Sequence, residues 1–99
     1  MSSYKLAESA KEDLIQIYEY GFHKFGEQQA DKYFERFFQY FDTIAQRPYS
    51  FESVDYIKLG YRKCPCGVDT IFYKINEDQI VEIMAIIGRH EISISLLYR

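Results

Sequence analysis

Basic side chains at two places are the strongest candidates for chemistry in this chain. Arg62 and Lys63 lie in a glycine-bracketed segment ahead of a run of β-forming residues, and Arg89 and His90 follow a second such run. Arginine and lysine donate hydrogen bonds to carboxylate or phosphate groups, and imidazole titrates near neutral pH. These residue types predict a surface for an acidic partner or a site that handles phosphate charge. An ordinary solvated strand face is the alternative to both.

The two cysteines form no recognisable metal motif. Cys64 and Cys66 are one residue apart, which on a strand places them on one face but too far apart for easy bridging. The spacing is not that of a zinc knuckle, and the sequence offers only His23 and His90 to complete a site. We therefore expect no metal, no cofactor and two free thiols, which suit a reducing cytoplasm.

Charge is spread unevenly along the chain, whose net charge is −3. Residues 1–46 hold eight acids, whereas residues 56–68 hold three cations and no acid. A negative net charge argues against a protein that coats nucleic acid, so we expect no direct sequence-specific nucleic-acid binding. The N-terminus has no apolar signal-peptide core, and no run approaches membrane-spanning length. We therefore predict that the protein is cytoplasmic and does not bind a membrane.

The hydrophobic periodicity predicts two helices followed by strands. Residues 7–25 and 27–46 repeat apolar side chains every three or four positions, with Gly26 between them, which predicts an antiparallel helical hairpin. Pro65 and Gly67 predict a turn between strands. The predicted strands are residues 4–6, a half-buried strand from residue 57, residues 68–75 and residues 79–87. Residues 92–98 form either a last strand or a short helix, and their alternation favours the strand.

These elements predict a single α+β domain over residues 1–99. In this fold class the N-terminal antiparallel helical hairpin packs on a small, mostly antiparallel β-sheet. The apolar content of 47% is enough for one packed core. The aromatic residues of the second helix are expected to fill that core.

Four segments, in this order, resemble the ParE/RelE superfamily of bacterial toxins. They are Leu6–Ile17, Phe25–Ala30, the strand pair Gly60–Lys63 with Ile71–Tyr73, and Ile86–His90. The strand pair is typical of ParE toxins. The resemblance covers nearly the whole chain and implies the RelE/ParE-like fold and the toxin component of a type II toxin–antitoxin system. It also implies a cognate ParD-like antitoxin that wraps the toxin with a segment that folds on binding.

Members of the superfamily either cleave RNA or inhibit DNA gyrase, and the residue before Ile71–Tyr73 favours gyrase inhibition for this chain. RNase members of the RelE kind place an arginine just before the strand's aliphatic pair and tyrosine. Here Thr70 holds that position, and a carboxylate at the preceding Asp69 would repel a phosphate. The resemblance therefore favours a non-catalytic, ParE-like inhibitor of DNA gyrase that blocks replication and arrests growth. Its target-binding residues are predicted to be Arg62, Lys63 and Arg89.

Two other hypotheses stay open. The first is a RelE-like, ribosome-dependent mRNA interferase, in which Arg62, Lys63, Arg89 and His90 stabilise charge or act as acid–base groups. The second is a degenerate toxin that only binds its antitoxin. In every case the antitoxin is expected to lay apolar residues along the groove between the helical hairpin and the sheet.

Overall fold

The computed structural model describes residues 3–88 as a helical hairpin packed on a five-stranded sheet. The elements are β1 (Tyr4–Leu6), α1 (Glu8–Phe25), α2 (Glu27–Gln46), β2 (Glu52–Ser53), β3 (Tyr61–Cys66), β4 (Asp69–Ile75) and β5 (Val81–Gly88). The sheet order is β1-β5-β4-β3-β2, in which β1 is parallel to β5 and the other neighbours are antiparallel. The predicted fold class is confirmed. The last strand predicted, residues 92–98, lies outside the described residues.

The helical hairpin forms where the sequence predicts it. α1 ends at Gly26, whose φ of 91° favours glycine and whose N–H donates to the Phe22 carbonyl at 3.0 Å. α2 ends when the Arg47 N–H donates to the Thr43 carbonyl at 3.0 Å, because Pro48 cannot continue the helix. Neither helix has the length and apolar character needed to cross a bilayer, within the part of the chain described.

The N-terminal part of α1 covers an open edge of β5. The Ser9 hydroxyl donates to the Met84 carbonyl at 2.7 Å, and the Asp13 carboxylate accepts from the Ile86 N–H at 2.9 Å. β1 pairs with Val81–Ile83 alone, so among residues 3–88 these backbone groups of β5 have no strand partner on that edge. Side chains of α1 thus take the place of a further strand.

The second predicted strand, from residue 57, begins later than the sequence indicates, at Tyr61 of β3. Residues 54–60 instead form a compact loop, which we call the anchor loop. It is closed by the Gly60 N–H, which donates to Asp55 Oδ1 at 2.8 Å. The apolar alternation misled here because Leu59 is 85% exposed rather than buried.

Pro65 lies within β3 and not in the turn that the sequence predicts. β2 pairs only with Arg62 and Lys63, so the outer edge of β3 at Pro65 needs no N–H donor. The turn to β4 consists of Gly67 and Val68, and the φ of 61° at Gly67 again favours glycine.

The two faces of the sheet carry apolar clusters of different size. The larger cluster, between sheet and helices, includes Leu14, Phe37, Phe41, Ile44, Cys64, Cys66, Ile71, Tyr73 and Ile83. The smaller cluster, on the other face, consists of Val54, Tyr61, Phe72, Ala85 and Ile87, with Ile57 and Met84 packed against it. We call this second face the open face, because the helices lie on the other side.

Candidate functional site: a lysine face and a docking groove

The two basic residues predicted on β3 lie on opposite faces of the sheet. Neighbouring strand residues project in opposite directions. Lys63 shares the open face with Tyr61, whereas Arg62 lies on the helix side beside Tyr73, its partner on β4. The structure therefore does not bring Arg62 and Lys63 into one cluster. The other two predicted site residues, Arg89 and His90, lie outside residues 3–88.

Arg62 holds the segment that links α2 to the sheet. Its guanidinium donates to the Phe51 carbonyl at 2.7 Å and lies 5.2 Å from the centroid of the Tyr49 ring. Beside it the Tyr73 hydroxyl donates to the Pro48 carbonyl at 2.7 Å. Burial raises the pKa of Tyr73 to about 12, so this hydroxyl keeps its proton. These contacts give Arg62 a positioning role.

Four lysines mark the open face, and we call them together the lysine face. They are Lys5, Lys58, Lys63 and Lys74. The three lysines in strands, Lys5, Lys63 and Lys74, have sequence neighbours that face the helices, so their own side chains project to the open face. Lys63 lies 3.8 Å from Glu52, and Lys74 lies 3.8 Å from Glu82. The Lys58 ammonium is 5.2 Å from the centroid of the Tyr61 ring, a cation–π distance. The lysine face therefore combines four cations with two paired carboxylates.

The anchor loop adds two exposed apolar side chains to this surface. Tyr56 is 72% exposed and Leu59 is 85% exposed. The loop is fixed on the open face by Val54, which is fully buried, and by Ile57. Its backbone is also closed on itself, because the N–H groups of Ile57 and Lys58 both donate to the Val54 carbonyl. Large apolar side chains held out by an ordered loop are typical of protein-binding surfaces.

A groove of about 630 Å³ lies between the helical hairpin and the β3–β4 turn, and we call it the docking groove. Its apolar lining includes Ile17, Tyr20, Phe25, Phe34, Val68 and Ile86. Phe25 and Val68 are 62% and 75% exposed. The two helices are in close contact at Gly21, where a Cβ would lie at the ordinary van der Waals distance of 3.7 Å from the Ala30 Cβ. An apolar concavity of this kind suits a segment with a hydrophobic face.

One wall of the docking groove is set by Tyr33. Its hydroxyl lies 2.9 Å from the Cys66 carbonyl oxygen and 2.8 Å from Asp69 Oδ2. Its ring packs over Gly67, where a Cβ would lie 2.7 Å from ring atoms. Burial raises the pKa of Asp69 and that of Tyr33, which favours the protonated forms.

The two thiols are buried in the larger cluster and are not bonded to each other. Burial raises the pKa of Cys64 and of Cys66 to about 11. Both therefore remain neutral thiols near physiological pH, a form that is a poor nucleophile and metal ligand. Within residues 3–88 no three side chains of the His, Cys, Asp and Glu types are grouped to hold a metal ion.

The comparison with known proteins agrees with this geometry. The profile of the family described as the ParE toxin of type II toxin-antitoxin system, parDE, matches residues 4–92. The chain belongs to the ParE toxin family. Toxin ParE1 of Caulobacter vibrioides is 31% identical over 75 residues, which are 76% of this chain and 78% of that protein. Toxin ParE1 of Mycobacterium tuberculosis is 27% identical over 86 residues, or 87% and 88% of the two chains.

A solved structure shows the same fold as this ParE-family toxin. The structure titled "Chromosomal ParDE TA system from P. aeruginosa" is similar with a TM-score of 0.77 and 18% sequence identity. The similarity covers 89% of this chain and 96% of that one. With the family match, the chain is the toxin component of a type II toxin–antitoxin system.

The structure corrects one step of the argument about RNase chemistry in this ParE-family toxin. Thr70 is buried on the open face, so no cation stands there, but Asp69 projects to the helix side and contacts Tyr33. A carboxylate at Asp69 would therefore not repel a phosphate on the open face. Among the described strands of that face there is no histidine, and the carboxylates of Glu52 and Glu82 are both ion-paired.

Sequence reasoning missed part of both surfaces. Lys5 and Lys74 could have been found, because each alternates with apolar residues of a predicted strand. Leu59 carries no such signal, since it falls in the strand predicted from residue 57, and Tyr56 lies outside every predicted element. The contact of Tyr33 with Gly67 is a long-range one that periodicity does not show.

Proposed function

We propose that this ParE-family toxin acts in the cytoplasm by inhibiting DNA gyrase, which blocks replication and arrests growth. Inhibition is by binding and not by catalysis. We further propose that a ParD-like antitoxin neutralises the toxin. No cofactor, metal or sequence-specific nucleic-acid contact is needed for this activity.

The composition of the open face is the observation that carries the proposal. A toxin that cleaves RNA must activate a 2′-hydroxyl, stabilise the phosphorane-like charge and protonate the leaving oxygen. The described part of the open face supplies lysines that can stabilise charge, but Thr70 replaces the strand arginine. Burial and Glu82 raise the pKa of Tyr61, which disfavours it as a base. This set supports binding better than it supports cleavage.

The docking groove supports the antitoxin partner. Its exposed apolar lining can bury the hydrophobic face of a peptide segment, with main-chain or side-chain contacts at the rim. A segment that folds as it binds loses conformational entropy, so a large buried surface is required for tight binding. The solved structure of similar fold is itself described as a ParDE system.

The direct test combines purified toxin, DNA gyrase, relaxed plasmid and ATP. The proposal predicts loss of supercoiling and accumulation of cleaved gyrase–DNA complex as toxin approaches stoichiometric amounts. Neither effect at stoichiometric toxin would reject gyrase as the target.

A parallel experiment addresses the mRNA interferase hypothesis. Primer extension on cellular message during toxin induction is expected to show unchanged transcripts. Codon-phased cuts that weaken in His90→Ala would instead assign the RelE-like activity, with Arg62, Lys63, Arg89 and His90 as its candidate residues. Growth that continues normally without antitoxin would indicate a degenerate toxin.

A matched pair of variants tests whether the antitoxin binds in the docking groove. Tyr20 lines the docking groove and Tyr49 does not, yet both side chains are 60% exposed. Tyr20→Ala is expected to weaken binding of the antitoxin encoded beside the toxin gene by about tenfold, as buried aromatic anchors do at interfaces. Tyr49→Ala should bind the antitoxin normally in the same calorimetric titration. Equal loss in both variants would place the antitoxin elsewhere.

A further inference from the structure

We propose that the lysine face and the anchor loop together form the surface by which the toxin contacts an acidic, partly apolar surface of the protein it inhibits. This inference rests on the proposed function, because it gives the chemistry of the target contact. It also changes the predicted contact set. Lys63 is kept, Arg62 is assigned to positioning, and Lys58, Tyr56 and Leu59 are added.

The charge of the toxin is segregated between its layers. α1 and α2 hold eight acids and four cations, an excess of four negative charges. The strands of the open face and the anchor loop instead carry the four lysines of the lysine face and three carboxylates, an excess of one positive charge. Glu52 and Glu82 lie beside two of the lysines, and Asp55 accepts from the Gly60 N–H within the anchor loop. A negatively charged partner is thus attracted to the open face and repelled by the helices.

The anchor loop supplies the apolar part of the surface. Tyr56 and Leu59 project from a loop whose ends are joined, because the Val54 N–H donates to the Tyr61 carbonyl at 2.8 Å. The neighbouring Gly60–Asp55 hydrogen bond further restricts the loop. A loop that is ordered before binding loses less entropy on binding. Tyrosine is enriched among the residues that dominate interface energies, and Leu59 adds exposed apolar area.

The partner is a protein and not a nucleic acid. Glu52 and Glu82 interrupt the lysines, so the face has no continuous row of cations along which a phosphate backbone could lie. The described lysine face also lacks arginine, whose planar fork binds phosphate in a bidentate manner. Lysine ammonium groups around the exposed side chains of Tyr56 and Leu59 are complementary to a protein surface that has carboxylates around an apolar recess.

The experiment compares two double charge reversals of equal net charge. Lys58→Glu/Lys63→Glu changes the open face, and Lys11→Glu/Lys24→Glu changes α1. Each purified variant is titrated in the gyrase supercoiling assay and expressed without antitoxin to score growth arrest. The open-face variant is expected to need about tenfold more toxin, and the α1 variant should match the wild type. Equal effects, or a larger effect from α1, would overturn the inference.

Two milder variants test the same surface if the open-face charge-reversal variant does not fold. Lys58→Gln/Lys63→Gln removes the charges without adding like charges beside Glu52, and it should also weaken inhibition. Glu52→Gln removes an acid from the same surface and should inhibit at least as well as the wild type. Weaker inhibition by Glu52→Gln, or full inhibition by the neutral double variant, would contradict the proposal.

The outcomes separate this inference from the proposed function. Wild-type growth arrest without any effect on gyrase would reject gyrase, while loss of arrest in the open-face variants would still support an acidic protein target. Gyrase inhibition that no open-face variant alters would keep the function and reject the surface. Retention of a short DNA duplex by wild-type toxin, lost in the open-face variants, would reject a protein partner in favour of nucleic acid.

Discussion

The docking groove and the lysine face use the two sides of one sheet for different physical tasks. The docking groove is concave and mainly apolar, although Asp13, Lys32, Arg36 and Asp69 also line it, and its walls come from the helical hairpin and the β3–β4 turn. The lysine face is charged, and its apolar part stands out from the anchor loop. Binding in the groove should depend on burial of apolar area, whereas binding at the lysine face should depend on charge. Under the proposed function, one small domain would recognise the antitoxin and the target by different means.

The largest expected effect concerns the floor of the open face. Phe72 is fully buried there in the smaller cluster, to which the anchor loop contributes Val54 and Ile57. Phe72→Ala should lower the free energy of unfolding by about 3–5 kcal/mol, the usual range for a buried phenylalanine. Phe37→Ala, equally buried on the groove side, is the matched control. Urea unfolding that shows less than about 1 kcal/mol for Phe72→Ala alone would mean that the anchor loop does not pack as described.

Alanine substitutions at two glycines should differ in their cost to stability, because the two surfaces leave different space for a side chain. Gly67, at the docking groove, has φ 61° and no room for a Cβ beside Tyr33, whereas Gly60, in the anchor loop, has φ 84° and open space. Gly67→Ala should cost about 2–3 kcal/mol, from strain plus displacement of the Tyr33 ring, and Gly60→Ala about 1 kcal/mol from strain. Thermal unfolding of both variants measures the difference. Equal losses would show that Tyr33 is not fixed over Gly67.

Salt should separate the two binding events. Raising the ionic strength from about 50 mM to about 300 mM shortens the screening length by more than half, so gyrase inhibition through the lysine face should weaken several-fold. Antitoxin binding in the docking groove should change less, because apolar burial is not screened. Supercoiling titrations and antitoxin titrations across the same salt series provide the test. Stronger salt dependence for the antitoxin would reverse the assignment of the surfaces.

The smallest effect is a pH dependence from the groove wall. The folded-state pKa of Asp69 is raised by burial, although the hydrogen bond from Tyr33 opposes this. Raised acid pKa values favour the protonated folded state, so the stabilisation is present at low pH and is lost as pH rises through the folded pKa of Asp69. Asp69→Asn should flatten the stability–pH curve in that range, while Glu77→Gln, in an exposed turn, serves as control. A steeper curve in Asp69→Asn would contradict this sign.

The helical hairpin could be predicted from sequence because its signals are local. The three-and-four repeat, Gly26 and Pro48 are enough to set both helices. The same holds for the polar turn before β5, where the Asn76 side chain accepts from the N–H groups of Asp78 and Ile80. These features depend on neighbouring residues and not on the rest of the fold.

The surfaces were harder to predict because they depend on contacts between distant segments. Arg62 and Lys63 formed one basic patch in the sequence, but strand geometry places them on opposite faces. The anchor loop looked like a strand, since Ile57 and Leu59 alternate with polar residues. Only the packing of Ile57 on the smaller cluster and the exposure of Leu59 show that the segment turns.

The separation of the two surfaces is tested most directly by one pair of substitutions. Leu59, 85% exposed on the anchor loop, and Val68, 75% exposed at the docking groove, are each changed to glutamate and assayed for gyrase inhibition and for antitoxin binding. Leu59→Glu is predicted to lose inhibition and keep antitoxin affinity. Val68→Glu is predicted to keep inhibition and lose antitoxin affinity. If each variant loses both activities equally, or if the pattern is reversed, the assignment of the two surfaces is wrong.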